Sequence, residues 1–354
     1  MANKKMYLTV GLGFGLVAIL LAYFGNPANM AICVACFIRD IAGATKLHGA
    51  PPVQYLRPEI IGIIFGAMLM AIPRKEFHAR SGSSTGTRFL LGFMMMIGAL
   101  VFLGCPLRMV LRMSGGDLNA YVGLIGFVGG VFTGSLFLKQ GYTLGKPQDT
   151  KTSSGVMVPG FFLALFVLFL VVPSLFMVSK EGPGSLHAPV MISLAGGLIF
   201  GGLAQLSAIC FSGSIRDIFL MKNFNRITGV LTLFVVVLIY NLVTGNFHLS
   251  FANQPIAHTE HLWNILGLYV VGFAGVLLSG CPLRQLILTG QGSSDAGITV
   301  IGMLVGAAFA HNFGLASSAE GTTSFGRIAT LLSIALLFII AFTNLSKKIE
   351  TSAK

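Results

Sequence analysis

The sequence predicts an all-α polytopic membrane protein, with about ten transmembrane helices, four short re-entrant helices and an internal repeat whose halves are inverted. Three observations predict it. Apolar runs of near-spanning length recur from end to end, two motifs are each written twice at one offset, and lysine and arginine favour alternate loops.

Of the 354 residues, 55% are hydrophobic and only 10% are charged, and the mean hydropathy is +0.85. Soluble domains carry about 25% charged residues, so a buried soluble core does not explain this chain. A net charge of +12 would point to nucleic acid in a soluble protein. Here the cations gather at the ends of apolar runs, and no nucleic-acid partner is expected. After Met1-Ala-Asn-Lys-Lys5 the apolar run lacks a small-residue cleavage site, so no cleaved leader is expected. The 45 glycines fall within apolar runs, where small residues let helices pack closely.

Taken in order, the first span runs near 6–24. Residues 25–57 hold Cys33 and Cys36 in a stretch too short and interrupted to cross alone, closed by Gly49-Ala-Pro-Pro52. The second span, 59–72, stops at Pro73 and the basic loop Arg74–Arg80, with Glu59 expected at the interface. Spans three and four cover 88–104 and 118–139, and a polar linker follows near 140–158. Span five (159–179) is expected to stand without a counterpart. Spans six to ten follow near 189–205, 228–245, 263–280, 297–315 and 327–345. The chain thus divides into a first repeat (1–147), a linker with the unmatched helix (148–187), and a second, inverted repeat (188–354).

Charge sets the orientation. With the amino terminus inside, every span crossing and the short segments dipping in, 16 lysines and arginines fall inside against 7 outside. The loop Asn246–His261 carries none. This bias supports both termini of a multi-pass membrane protein being cytoplasmic. Five crossings separate equivalent elements, and an odd number inverts the second half.

The repeated motifs are Gly104-Cys105-Pro-Leu-Arg108 with Gly280-Cys281-Pro-Leu-Arg284, and Ala31-Ile-Cys33-Val-Ala-Cys36-Phe-Ile-Arg39-Asp40 with Ala208-Ile-Cys210-Phe-Ser-Gly213-Ser-Ile-Arg216-Asp217. Their offsets are 176 and 177 residues. Four segments of the form X-x-[IL]-Arg result, with X being Cys36, Cys105 and Cys281 in three and Gly213 in the fourth. Proline after cysteine suits the first position of a helix. A helix amino end offers free N–H groups and a positive dipole end, which attract anions. Arginine three residues later shares that face, and a charge within the bilayer lines a pathway or meets a partner. Asp40, Asp217, Asp117 and Asp295 are the available partners. Cys36, Cys105 and Cys281 are therefore candidate substrate-binding residues, together with Arg39, Arg108, Arg216 and Arg284; Cys33 and Cys210 are possible additions that also suit plain packing. The Cys33-Val-Ala-Cys36 spacing is not completed into a metal site by histidine or a second such pair, so no metal or cofactor is expected. The methionine run 94–96 reads as core, the seven histidines as loop or helix-end residues, and Asn241 and Asn312 as helix bridges.

At these motifs the chain resembles the YeeE/YedE family of bacterial inner-membrane proteins, most of all the YedE-type branch associated with selenium metabolism. The resemblance implies transmembrane plus short re-entrant helices, an hourglass-like body thinned at its centre, and three cysteines that relay thiosulfate by S–H contacts. By motif those are Cys36, Cys105 and Cys281. A soft, weak S–H donor suits a large polarisable sulfur or selenium atom. A buried thiol away from positive charge keeps its proton and does not repel an anion. The expectation is uptake of a small sulfur- or selenium-containing species and no enzymatic activity. The alternatives are a membrane thiol enzyme or carrier forming a persulfide or selenyl-sulfide, and a structural subunit whose motifs only pack. A cytoplasmic sulfur- or selenium-handling protein fits as a partner, with no motif that specifies it.

Overall fold

A computed structural model describes residues 4–346; Lys347, Lys348 and Lys354, which entered the charge balance, lie outside them. The described residues are nearly all helical, and ten segments are long and apolar enough to cross a membrane. The first seven helices are α1 (Lys4–Tyr23), α2 (Val34–Ala44), α3 (Pro58–Ala71), α4 (Thr85–Phe102), α5 (Pro106–Ser114), α6 (Leu118–Lys139) and α7 (Thr152–Val171). The next seven are α8 (Val190–Ser207), α9 (Phe211–Met221), α10 (Asn225–Val243), α11 (His261–Leu277), α12 (Pro282–Gly290), α13 (Ser294–Asn312) and α14 (Ser324–Thr343). The only strands among the described residues are Arg80–Ser81 and Gln148–Asp149, which tie two loops together.

The succession of long and short elements is the same in both sets of seven. The short helices have 11 and 9 residues in the first set (α2, α5) and 11 and 9 in the second (α9, α12). At 1.5 Å per residue none of them spans a bilayer core of about 30 Å. In this succession α7, read from sequence as standing alone, holds the place that α14 holds later. The helix also begins at Thr152 and keeps Pro159 in its interior, where the sequence reading starts the span at the proline.

The long helices pair across the two sets rather than within them. The tightest neighbours are α6 with α11, α3 with α8, α4 with α13, and α1 with α10. Exchanging first-set for second-set helices maps this pattern onto itself. Glycine makes the approach possible: a Cβ on Gly66 or Gly201 would collide with the backbone of Leu198 or Ile63 across the α3–α8 contact. The helices α1 and α8, which hold the same place in the two sets, run antiparallel, because Gly13 of α1 meets Leu203 and Gly196 of α8 meets Leu21. Loop contacts sort onto two faces. Asn26 meets Ala188, and His248 meets Gly115, on one face. Glu76 meets Gln205, and Tyr142 bridges Leu345, on the other. Both described ends of the chain, Lys4 and Ser346, therefore lie on the second face.

Candidate functional site

Each short helix begins with a cysteine. Cys33, Cys105, Cys210 and Cys281 are the amino-terminal caps of α2, α5, α9 and α12, all with extended backbone. The chain reaches each cap in the same way. Two residues earlier stands a non-glycine residue in the left-handed region: Ala31, Leu103, Ala208 and Ser279, with φ of 38°, 65°, 49° and 60°. Such a conformation is unfavourable for L-residues, so four equivalent instances mark one construction used four times. The backbone thus equates Cys33 with Cys105, whereas the X-x-[IL]-Arg string aligned Cys36 with it. The string lines up on the arginine, which stands one turn later in α2 and α9 than in α5 and α12.

The thiols gather in two groups. In the first, Cys33 Sγ lies 3.0 Å from Cys36 Sγ and 3.7 Å from Cys105 Sγ, and it accepts the Cys36 N–H at 3.4 Å. In the second, Cys210 Sγ accepts the N–H groups of Gly213 and Cys281, each at 3.3 Å. All five cysteines are buried and free. Short helices of one group touch those of the other, α2 with α12 and α5 with α9. Within each group two helix amino ends, each with a positive dipole, therefore meet at the thiols.

The candidate arginines divide into two kinds. Arg39 and Arg57 both bind Asp40, at 2.7 and 2.8 Å, and all three are buried. Arg57 also donates to the carbonyls of Leu186 and Pro183. The second set repeats the clamp: Arg216 and Arg226 both bind Asp217 at 2.9 Å, with 22% and 29% of the two arginine side chains exposed. Arg39 and Arg216 are thus each paired with a neighbouring aspartate, and the second partners of those aspartates, Arg57 and Arg226, lie too far along the chain for a motif to suggest them.

Arg108 and Arg284 have no carboxylate in hydrogen-bonding range. Arg108 is fully buried and is held by backbone carbonyls: Leu103, Asn29 at 3.4 Å, and Pro255 and Ile256 at 3.4 and 3.1 Å. Its Nη1 also donates to Cys36 Sγ at 3.7 Å. Cys36 is therefore not remote from positive charge, as the sequence argument assumed for a relay thiol. Arg284 leaves Nη1 buried without a protein partner, and it faces Cys210 and Cys281 electrostatically. Ser212, in the first turn of α9, has a buried hydroxyl without a partner as well. The aspartates expected to serve these arginines are engaged elsewhere. Asp117 binds Arg112 at 2.6 Å and caps α6, and Asp295 accepts from Gly82, Ser83 and Thr85.

Polar openings lie on either side. On the face where α1 and α10 end, a cavity of about 270 Å³ is lined by amides and a few polar rings, among them Asn26, Asn29, Asn241, His248 and Gln254. Two of its lining residues, Asn29 and Pro255, supply carbonyls to Arg108. On the opposite face Glu76 lies within electrostatic range of Arg284. Hydrogen bonds from Arg74 and Gln205 hold the Glu76 carboxyl below its ordinary range, so it stays charged. Asn241 bridges two helices as expected, donating to Ser114 O of α5 at 3.0 Å, whereas Asn312 donates to Leu47 O, in the loop after α2, at 2.8 Å.

Residues 206–350 match the model of a family described as Sulphur transport. That stretch contains Cys210, Cys281, Arg216 and Arg284, and none of the first-set thiols. A comparison with curated proteins finds no match. The match and the ten apolar segments together support sulfur transport across a membrane.

Proposed function

We propose that the protein takes up a small sulfur- or selenium-bearing anion across a bacterial inner membrane, passing it between the two thiol groups. The observation that carries this is the pairing of each thiol group with an arginine that makes no hydrogen bond to a carboxylate. A cation placed at the bilayer centre costs about 2.5–3.5 kcal/mol or more, and a buried one without a counter-charge is normally eliminated. Arg108 and Arg284 persist beside soft donors and helix amino ends, which is the chemistry of an anion path. Several weak thiol sites in series allow entry without trapping, whereas one strong site would stall release.

In this reading the halves are inverted repeats and both termini are cytoplasmic. The amide-lined cavity is then the outer vestibule, with Arg108 beneath it. The first thiol group (Cys33, Cys36, Cys105) receives the anion and the second (Cys210, Cys281) delivers it past Arg284. Arg39 and Arg216 act indirectly by fixing α2 and α9. Each negative charge moved inward against 100 mV costs about 2.3 kcal/mol, so uptake of such an anion needs a source of energy.

Uptake of labelled thiosulfate and selenite by cells lacking their own transporters tests the reading. Cys105→Ala and Cys281→Ala should each lower the initial rate on the order of a hundredfold, the scale of removing a donor from an anion site, while the protein still reaches the membrane. Full uptake by both variants would sink the relay. The packing of two further thiols against Cys33 also suits a carrier that holds sulfur covalently. Mass spectrometry after substrate exposure separates the two, since a relay leaves no adduct.

A further inference from the structure

We propose that Glu59 is a proton-binding site that loads a proton from the outer vestibule, so that a proton enters with the anion. This inference rests on the transport reading above. Sequence placed Glu59 at the membrane interface; the structure buries it completely in the first turn of α3. Its Oε1 accepts from Asn26 Nδ2 at 2.8 Å, and its Oε2 has no protein partner.

The surrounding charges leave it alone. From the preceding loop, Arg57 is committed to Asp40 and two carbonyls, and the Tyr55 hydroxyl has no partner. His187 is stacked on the Tyr55 ring with centroids 4.0 Å apart. Of the helices packed on α3, α2 brings the closed Arg39–Asp40 pair and the thiol of Cys36, α7 and α8 bring no titratable side chain, and α12 brings Arg284, which faces the second thiol group. Arg39 and Arg57 share one aspartate, so their cluster keeps a net positive charge, but none of its donors reaches Glu59. A buried carboxylate with an amide as its one donor is relieved by taking a proton.

Its location ties this to the anion. Asn26, the donor to Glu59, lines the same cavity as Asn29 and Pro255, whose carbonyls hold Arg108. One vestibule therefore has the anion-attracting guanidinium behind one wall and a protonatable carboxyl behind another. The step is a simple transfer: the carboxylate gains one proton from vestibule water and later yields that proton inward. An acidic residue in a first helical turn also favours the helix dipole, and a purely structural Glu59 predicts no proton movement.

The test uses the full chain in liposomes with a trapped pH dye and labelled thiosulfate or selenite outside. Expected are anion-dependent acidification of the lumen and uptake that rises several-fold as the external pH falls by one unit. Glu59→Gln should keep anion uptake but lose both acidification and pH dependence, and Glu59→Asp should retain them in part. Wild-type uptake without acidification overturns the inference and leaves the transport reading standing, as does acidification that survives in Glu59→Gln. Absence of uptake by the wild type overturns the transport reading and this inference with it. Should Glu59→Gln fail to reach the membrane, the wild-type dye signal still decides, alongside the infrared C=O stretch of a buried carboxylic acid.

Discussion

The two thiol groups are built on the same backbone plan and finished differently. The first is sealed. It holds three cysteines, its arginine is saturated by carbonyls and one thiol, and its Asp40 clamp is buried throughout. The second is open. It has Gly213 where the first has Cys36, a guanidinium nitrogen and a serine hydroxyl without partners, and a clamp whose arginines are partly exposed. In the proposed direction of travel the contrast has a physical sense. The first site strips water from an anion and replaces it with soft contacts, and the second presents free donors toward an aqueous exit.

The clamps give the largest expected difference. Asp40→Asn leaves two buried guanidiniums without a counter-charge and should cost about 3–5 kcal/mol. Asp217→Asn releases partly solvated arginines and should cost about 1 kcal/mol. Thermal unfolding in detergent measures both, and equal losses would mean that the burial contrast carries no energy. A smaller effect concerns the free arginines. Arg284→Gln should weaken the apparent affinity for thiosulfate about tenfold, the value of one charge-assisted contact, with little change in unfolding temperature. Arg108→Gln should lower both, because four backbone carbonyls lose their donor. Smallest is Cys36→Gly, which copies Gly213 into the first site. With Cys33 and Cys105 still in contact, uptake should fall only a few-fold; a loss matching that of Cys105→Ala would make Cys36 an essential station.

Much of this was legible from sequence, since hydropathy located the ten spans and the duplicated motifs located the four short helices. The construction of those helices was less legible. Which cysteine caps a helix depends on a left-handed residue two positions before it, and Ala31, Leu103 and Ala208 are not residue types that announce such a turn. Counting from arginine therefore gave Cys36 prominence over Cys33. The partners of Asp40 and Asp217 include arginines at the starts of the next long helices, a relation fixed by packing. Glu59 looked peripheral because it opens an apolar run, yet α8 lies directly against its backbone and removes it from any surface. The resemblance carried by the paired motifs covers most of the chain, while the family match falls on residues 206–350.

Pairing across the two sets of helices also bears on how the protein is made. A ribosome that has released only α1 to α7 has exposed to lipid the glycine faces of α1, α3, α4 and α6, whose closest companions are not yet synthesised. The early half must wait as loosely held helices until α8 to α13 slot between them. Two separately expressed fragments divided between α7 and α8 should therefore be degraded singly and rescue one another when made together.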